Sequence, residues 1–366
     1  MTMNVTNKHR TYIIAEAGVN HNGSLELAKA LIDAAAEAGA DAIKFQTFKA
    51  ERLVTMNARK ANYQIVNDNS HDTQFEMLKA LELDEESYET LMQHCKTKGI
   101  DFLSTPFDIP SAKLLIERLQ LPIIKISSGD LTNAPLLLTI ARADKPVLLS
   151  TGMSTLAEIE MALGVLAFGY IHKEGRPSLQ AFYEAFYSDE GQEALREHVT
   201  LLHCTSEYPA PFDEVNLRVL ETLKQSFHLR IGYSDHTQGI AVPLAAVAMG
   251  AVVIEKHLTL DRNLPGPDHR ASLEPEELEQ MVTSIRQIEQ ALGDPVKRLT
   301  LSEKNNRLVV RKSLVTLRPV KKGEPFTEDN LTVKRPGDGI SPMHYWDWLG
   351  KLSPRDYEAD EVVKDE

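Results

Sequence analysis

Hydrophobic positions along the chain repeat one unit, a short apolar strand with a polar end that is followed by a helical stretch. Eight segments fit the strand pattern, and they lie at residues 11–18, 42–48, 101–108, 123–130, 146–153, 199–209, 230–237 and 251–260. Their interiors are runs of Ile, Val and Leu, which are typical of parallel strands covered on both faces. Eight strand–helix units over roughly 290 residues predict an α/β fold of the (β/α)8 TIM barrel type. An open doubly wound sheet is disfavoured because no G-x-G-x-x-G fingerprint occurs.

A different pattern begins near residue 307. Short β-like pieces alternate there with Lys-Gly, Pro-Gly and Asp-Gly turns, and basic residues are frequent. Gly-Asp-Pro at 293–295 marks the start of a linker. We therefore predict a barrel domain over residues 1–292, a linker over 293–306 and a small β-rich domain over 307–366.

Composition narrows the class of protein. The chain has 366 residues, 42% of them hydrophobic, as in a globular protein with a sizeable core. Its formal charge of −13 disfavours nucleic acid and anionic membranes as partners, so an anionic substrate needs a local basic pocket. Two cysteines cannot form a disulfide framework. Because residues 1–10 lack a signal-peptide core and no apolar run reaches the ~20 residues of a membrane span, we expect a cytoplasmic enzyme or binding protein.

Side chains suited to catalysis stand at the carboxyl ends of the predicted strands, where the βα loops of a barrel converge. His236 and His257 end the neighbouring seventh and eighth strands, so their imidazoles could meet over the barrel mouth. With a carboxylate such as Glu16 or Asp235, they predict an open site for a divalent metal ion. His203, one strand earlier, is a rival ligand. The alternative interpretation is two structural histidines that are hydrogen-bonded in loops.

Two lysines inside otherwise apolar strands indicate a second feature, because a buried lysine is rare unless it is paired or functional. Lys44 and Lys125 supply positive charge, and small hydroxyls and glycine amides supply directed donors for a phosphorylated small substrate. The neighbouring donors are Ser128, Gly129, Ser150, Thr151 and Gly152. The alternative for each lysine is an inward salt bridge to Glu16 or Glu255. Candidate readers of hydroxyl or amide groups are Gln46, Asp130 and Tyr208.

Taken together, the motifs resemble one family, the bacterial sialic acid synthases, which includes N-acetylneuraminate synthase and N,N′-diacetyllegionaminate synthase. The matching segments are AEAGVNHNGS, KFQTFKA, FLSTPFD, KISSGD, LSTGM, LLHCTSEYPAPF, GYSDHT, IEKHLTLDRNLPGPDH and KRPGDGISP. The resemblance implies a TIM barrel followed by a small antifreeze-like (SAF, β-clip) domain and a domain-swapped homodimer. It also implies condensation of phosphoenolpyruvate (PEP) with an N-acetylated mannose-type sugar.

The resemblance also assigns roles to individual residues. It makes His236 and His257 the ligands of Mn²⁺ or Mg²⁺ and Glu16 the active-site carboxylate. The positions that match PEP contacts are Lys44, Thr105, Lys125, Ser128, Ser150, Ser206 and Ser234. The positions that match sugar contacts are Gln46, Asp130, Tyr208, Asp268 and Arg335. The last of these matches the arginine that the SAF domain sends into the partner's active site.

Several alternatives stay open at this point. The leading sugar is N-acetylmannosamine, and 2,4-diacetamido-2,4,6-trideoxymannose is the alternative. The family usually has Ser-Gly-Glu where this chain has Ser128-Gly129-Asp130, and the sialic acid branch often has Asn in place of Ser206. A Schiff-base aldolase with Lys125 as nucleophile and a non-catalytic binding protein are the other classes. Residues 168–198 are predicted to be peripheral, at the amino-terminal face of the barrel.

Overall fold

A computed structural model describes residues 10–67 and 73–365. The chain divides into two compact units, Met1–Gly293 and Asp294–Glu366, and each is considered by itself. In the described ranges, no helix combines the length and apolar composition that crossing a bilayer requires.

Eight parallel strands build the first unit. They are β1 (Tyr12–Gly18), β2 (Ala42–Thr47), β3 (Asp101–Pro106), β4 (Ile124–Ile126), β5 (Val147–Ser150), β6 (Val199–His203), β7 (Arg230–Asp235) and β8 (Val253–His257). The hydrogen-bonded order is β3-β2-β1-β8-β7-β6-β5-β4, and the terminal strands β3 and β4 lie against each other. The predicted (β/α)8 fold is therefore confirmed.

Helices follow the strands and cover them. In the first unit they are α1 (Leu25–Glu37), α2 (Ala50–Leu53), α3 (Asn62–Asn67), α4 (Gln74–Ala80), α5 (Glu85–Lys98), α6 (Ile109–Lys113), α7 (Ala134–Arg142), α8 (Leu156–Ile171), α9 (Leu179–Tyr187), α10 (Asp189–His198), α11 (Val219–Phe227), α12 (Ala241–Ala248) and α13 (Pro275–Leu292). Helix α1 is capped by Ser24, whose hydroxyl accepts a hydrogen bond from the Leu27 amide.

The side chains inside the barrel form two layers, an apolar one and a polar one nearer the carboxyl ends of the strands. The lower layer is an apolar plug formed by Ile14, Ala42, Leu103, Ile123, Leu148, Leu202 and Val253. Side chains two residues further along a strand face the same side. The next inward positions lie toward the carboxyl ends. Apart from Cys204 they are polar, and they are Glu16, Lys44, Thr105, Lys125, Ser150 and Glu255. The barrel thus presents a buried polar floor to its carboxyl-terminal mouth.

Residues 168–198 comprise the end of α8 and the helices α9 and α10, which pack beside α8 before the chain enters β6 at its amino end. The Phe182 ring on α9 meets the Phe168 ring edge-on, with centroids 5.4 Å apart. The backbone of Phe182 also closes on Gly164, where an added Cβ would lie 3.0 Å from the Phe182 carbonyl oxygen. This segment is therefore a packed helical layer on the outside of the barrel.

We predict that Phe182→Ala destabilises the protein without slowing catalysis. Because Phe182 is half-buried, its loss should lower the free energy of unfolding by about 2 kcal/mol, less than for a fully buried Phe. Urea unfolding and kcat are the measurements, and Tyr183→Ala, at a side chain 42% exposed, is the matched control. A large fall in kcat of folded Phe182→Ala would show that this segment is not peripheral.

The second unit is small and β-rich. It contains α14 (Glu303–Val310), β9 (Ser313–Thr316), β10 (Leu331–Lys334) and α15 (Tyr345–Trp348), and β9 and β10 pair antiparallel. Its own core consists of Leu314, Val320, Phe326, Leu331, Ile340, Tyr357 and Val363. Arg335 directly follows β10 and is exposed.

Candidate active site

The two predicted metal ligands lie side by side at the barrel mouth. The His236 and His257 rings have centroids 5.6 Å apart and are inclined at 64°. The Nδ1 atom of His236 lies 2.6 Å from the Thr205 carbonyl oxygen, so it carries the proton and leaves Nε2 with a free lone pair. Burial lowers the pKa of His236 to about 4 and that of His257 well below its ordinary value. Both imidazoles are therefore neutral at pH 7, the form that binds metals.

Two carboxylates, one from strand β1 and one from the segment that follows β8, approach His257 around Gly18. A Cβ atom on Gly18 would lie 3.3 Å from Glu16 Oε1, 3.4 Å from His257 Cε1 and 3.5 Å from Asp268 Oδ2. Gly18 has φ of +52°, so glycine satisfies both the backbone and the crowding. Within the described part of the chain, no group of three or more His, Cys, Asp or Glu side chains is arranged to hold a metal ion.

The chemistry of the donor set nevertheless fits a divalent ion bound by the histidine pair. The Nδ1 atom of His257 is buried and has no hydrogen-bond partner among the described residues, and it lies 3.9 Å from Asp268 Oδ2. Burial raises the pKa of Asp268 to about 6, with Lys44 opposing this effect. Two imidazole nitrogens leave the other coordination positions of a metal ion to water or substrate.

Two further candidate ligands from the sequence, the rival His203 and the carboxylate of Asp235, are engaged elsewhere. The Nε2 atom of His203 lies 2.7 Å from the Val215 carbonyl oxygen. Asp235 is fully buried and pairs with Lys256, with Nζ and Oδ2 2.6 Å apart. Neither side chain is free to join His236 and His257.

The lysines and glutamates form one buried network in the mouth. Lys44 Nζ lies 2.7 Å from Glu16 Oε2 and 3.7 Å from Glu255 Oε2, and it donates to Thr105 Oγ1 at 3.0 Å. Lys125 Nζ lies 3.6 Å from Glu255 Oε1. The inward salt bridges that the sequence left as an alternative are therefore formed, and they lie within the polar layer of the mouth.

Burial and neighbouring charge separate the two glutamates. Burial raises the pKa of Glu16 to about 7, although Lys44 opposes the rise. Burial acts on Glu255 in the same direction but is outweighed by Lys125 and Lys44, so the pKa of Glu255 falls to about 2. Burial also lowers the pKa of Lys125. The two lysines therefore favour the anionic form of Glu255, whereas burial makes Glu16 the more readily protonated of the two carboxylates.

Hydroxyl groups line a compact cradle around Gly152. A Cβ atom there would lie 2.4 Å from Ser206 Oγ, 2.9 Å from Ser128 Oγ and 3.0 Å from Cys204 Sγ. The Gly152 amide donates to Ser128 Oγ at 3.0 Å. Ser150 Oγ is buried and has no hydrogen-bond partner within the described ranges. This cluster of small donors fits a phosphate or carboxylate group.

The remaining side chains with predicted substrate contacts differ in their hydrogen-bond partners and exposure. Ser234 donates to Glu255 Oε1 at 2.8 Å. Asp130 accepts hydrogen bonds from Ser127 and Asn133, and burial raises its pKa. The side chain of Gln46, at the end of β2, is half-buried. Arg335 belongs to the second unit.

Tyr208 joins the histidine pair to a residue that sequence analysis missed. Its ring lies 4.1 Å from His236 and 5.5 Å from His257, measured between centroids. On its other side is Tyr63, with centroids 4.9 Å apart. Tyr63 is on α3, in the long connection between β2 and α5, so no strand-end pattern marks it. Cys204, beside Ser128, was likewise missed because free cysteines carry no spacing signal.

Comparisons with known proteins agree with this architecture. The model of the NeuB family matches residues 31–297, and the model of the SAF domain matches residues 311–366. N,N′-diacetyllegionaminic acid synthase of Campylobacter jejuni is 51% identical over 97% of this chain and 99% of its own length. The enzyme of the same name from Legionella pneumophila is 46% identical over 93% and 89%.

A solved structure extends the match to three dimensions. The N-acetylneuraminic acid (sialic acid) synthetase of Leptospira borgpetersenii superposes with a TM-score of 0.65 at 35% identity, over 81% of this chain and 90% of that one. The resemblance seen in the sequence motifs is thereby confirmed. The chain belongs to the NeuB family of carbon–carbon bond-forming synthases and carries a C-terminal SAF domain.

Proposed function

We propose that the enzyme joins PEP to an N-acetylated mannose-type sugar and water, giving a nine-carbon 2-keto acid and phosphate. The observation that carries the proposal is the placement of three groups at one mouth. They are the Gly152 cradle with its hydroxyls, the Lys44–Lys125 pair and the His236–His257 pair. An anion-binding region next to two neutral imidazoles suits a phosphorylated substrate and a carbonyl acceptor.

PEP would bind with its anionic groups toward the cradle and the lysines. Ser128, Ser150 and Ser206 present hydroxyls, and Lys44 and Lys125 present ammonium groups. The lysines are already paired with glutamates, so the charge of the network is balanced before the substrate arrives. The substrate anion would therefore be bound mainly by the hydrogen-bond donors of the mouth, although the protein has a formal charge of −13.

A divalent ion, Mn²⁺ or Mg²⁺, would be held by His236 and His257, and when bound it polarises the sugar aldehyde. The chain's own contribution is to orient that aldehyde against C3 of PEP. Carbon–carbon bond formation leaves a cationic centre at C2 of PEP, to which water adds before phosphate departs with its bridging oxygen. Glu16, whose pKa is raised by burial, would take the proton of that water.

Sugar identity is supported by the relatives. Proteins that are 51% and 46% identical are N,N′-diacetyllegionaminic acid synthases, whereas the sialic acid synthetase is 35% identical. We therefore favour 2,4-diacetamido-2,4,6-trideoxymannose over N-acetylmannosamine, which the sequence alone put first. Cytoplasmic action is consistent with two buried cysteines that are not paired.

Phosphate release from PEP tests this choice. With each sugar at several concentrations, we expect kcat/KM for the diacetamido sugar to exceed that for N-acetylmannosamine by at least ~10-fold. The reverse order would identify the enzyme as an N-acetylneuraminate synthase. No sugar-dependent release with either compound would overturn the proposed reaction.

We further propose that the enzyme is a homodimer in which Arg335 serves the active site of the partner subunit, as the family resemblance implies. Arg335 is an exposed guanidinium in a small domain, and such a group suits the acyl and hydroxyl oxygens of a sugar. Arg335→Ala should raise the KM for the sugar strongly and the KM for PEP much less.

Mixing of two variant subunits tests directly whether Arg335 acts in the active site of the partner subunit. Arg335→Ala subunits, assayed at a sugar concentration far below their raised KM, and inactive His236→Ala subunits are mixed in equal amounts and allowed to re-form dimers. If Arg335 acts across the interface, each heterodimer contains one intact site, and roughly a quarter of wild-type activity returns with random mixing. No recovery, with subunit exchange proven by mass spectrometry, would assign Arg335 to its own barrel.

A further inference from the structure

A buried ion pair lies directly behind the two histidines. Lys256 Nζ is 2.6 Å from Asp235 Oδ2, and both side chains have an exposed fraction of 0%. Asp235 precedes His236 in the chain, and Lys256 precedes His257. The two residues also face each other in the register of β7 and β8. The pair therefore joins the strand ends at the positions next to both candidate metal ligands.

Further hydrogen bonds extend the pair past the end of β7. Asp235 Oδ1 accepts from the Thr237 amide at 3.0 Å, from the Thr237 hydroxyl at 2.9 Å and from the Tyr233 hydroxyl at 3.2 Å. Lys256 Nζ also donates to the Thr237 carbonyl oxygen. His236 follows the last residue of β7, yet the residues on both sides of it are held by this network.

The network lies on the opposite face of the sheet from the active-site mouth. Successive side chains of a strand alternate between faces, so Glu255 and His257 face the barrel interior while Lys256 faces the covering helices. The network thus takes no part in binding PEP or sugar. A buried ion pair is weak evidence for stability, since apolar residues of similar volume often replace one without loss. Its position next to both histidines points to a role in geometry.

We propose that Asp235, Lys256 and Thr237 are positioning residues that fix the spacing of His236 and His257 and thereby set the affinity of the site for a divalent ion. This inference rests on the proposed function, because it takes the histidine pair to be the metal site. In this proposal the network sets the spacing of His236 and His257 in the metal-free protein, before any ion binds.

Binding of Mn²⁺ to the metal-stripped enzyme, measured by calorimetry, is the test, with thermal unfolding of the same apo samples alongside. Lys256→Met removes the tie and leaves Asp235 without its cation. The double variant Asp235→Asn/Lys256→Met removes the tie and both charges. We expect both to bind Mn²⁺ at least ~10-fold more weakly, while the double variant melts at a higher temperature than Lys256→Met. If the ion pair served stability alone, the double variant would instead recover Mn²⁺ affinity together with melting temperature.

Two single variants, one in the network and one distant from it, test the proposal further. Thr237→Val removes only the hydroxyl donor to Asp235 and keeps side-chain volume, so it should fold and bind Mn²⁺ about threefold more weakly. Arg286→Met is the matched control. It breaks the Arg286–Asp41 pair, 2.7 Å long, beside the start of β2 at the amino end of the barrel, and it should lower the melting temperature without changing Mn²⁺ affinity.

The outcomes separate the two claims. Wild-type binding of Mn²⁺ with unchanged affinity in folded Thr237→Val and in the double variant would overturn this inference alone. A wild-type enzyme that binds no Mn²⁺ would overturn the metal site of the proposed function and this inference with it.

Discussion

Replacing either His236 or His257 with alanine should lower kcat by at least ~10²-fold, because each loss removes one of the two proposed ligands of the divalent ion. The two rings are neighbours, with centroids 5.6 Å apart, and burial keeps both imidazoles neutral. Removal of metal with EDTA should abolish turnover of the wild-type enzyme, and Mn²⁺ or Mg²⁺ should restore it. Steady-state phosphate release, measured over a range of metal concentrations, gives both the kcat of each variant and the metal dependence of the wild-type enzyme.

His203→Ala is the matched control for this prediction. His203 also lies at a strand end, but its Nε2 atom is committed to the Val215 carbonyl oxygen. The variant should keep the Mn²⁺ affinity of the wild type even if its stability falls. Near-normal metal-dependent activity in both His236→Ala and His257→Ala would remove the histidine pair from the mechanism.

Filling the cradle at Gly152 should have the second large effect. In Gly152→Ala the new methyl group would lie 2.4 Å from Ser206 Oγ and 2.9 Å from Ser128 Oγ, so it occupies the space between the proposed phosphate donors. We expect kcat/KM for PEP to fall by at least ~10²-fold, mainly through KM, and the KM for the sugar to change much less.

Gly129→Ala controls for the loss of a glycine in the same region. Among the described residues other than its chain neighbours, its Cβ would meet Ser127 Oγ alone within 4 Å, at an ordinary contact distance of 3.7 Å. Its KM for PEP should therefore stay close to that of the wild type. Equal effects of the two substitutions, in proteins with native circular dichroism, would contradict the assignment of the cradle to PEP.

The barrel and its polar mouth were predictable because strand periodicity is a local property. Apolar Ile14 and polar Glu16 lie two positions apart on one strand, and the same step links Ala42 to Lys44 and Leu148 to Ser150. Strand ends were less predictable. The apolar pattern predicts one strand over residues 123–130, yet β4 covers only Ile124–Ile126, and Ser128–Asp130 forms a 3₁₀ turn that carries the cradle hydroxyl.

Other features depend on distant contacts that no local pattern encodes. Whether Lys44 pairs with Glu16 or binds substrate stayed open from sequence, and the 2.7 Å contact requires the register between β1 and β2. The ring of Tyr63, on α3, contacts the ring of Tyr208, a residue distant along the chain, with centroids 4.9 Å apart. Helix α14 (Glu303–Val310) crosses the predicted boundary between linker and SAF domain, since turn-rich composition marks the start of a β-rich region only approximately.

In the proposed reaction, phosphate leaves PEP with its bridging oxygen after a carbon–carbon bond has formed. Turnover in H₂¹⁸O with PEP and the diacetamido sugar, followed by mass spectrometry of the products, shows which bond of PEP breaks. We predict phosphate without ¹⁸O, formed in equal amount with a nine-carbon acid and only when the sugar is present. Phosphate that carries ¹⁸O, or pyruvate trapped on Lys125 by borohydride, would mean that PEP is hydrolysed first and would contradict the account.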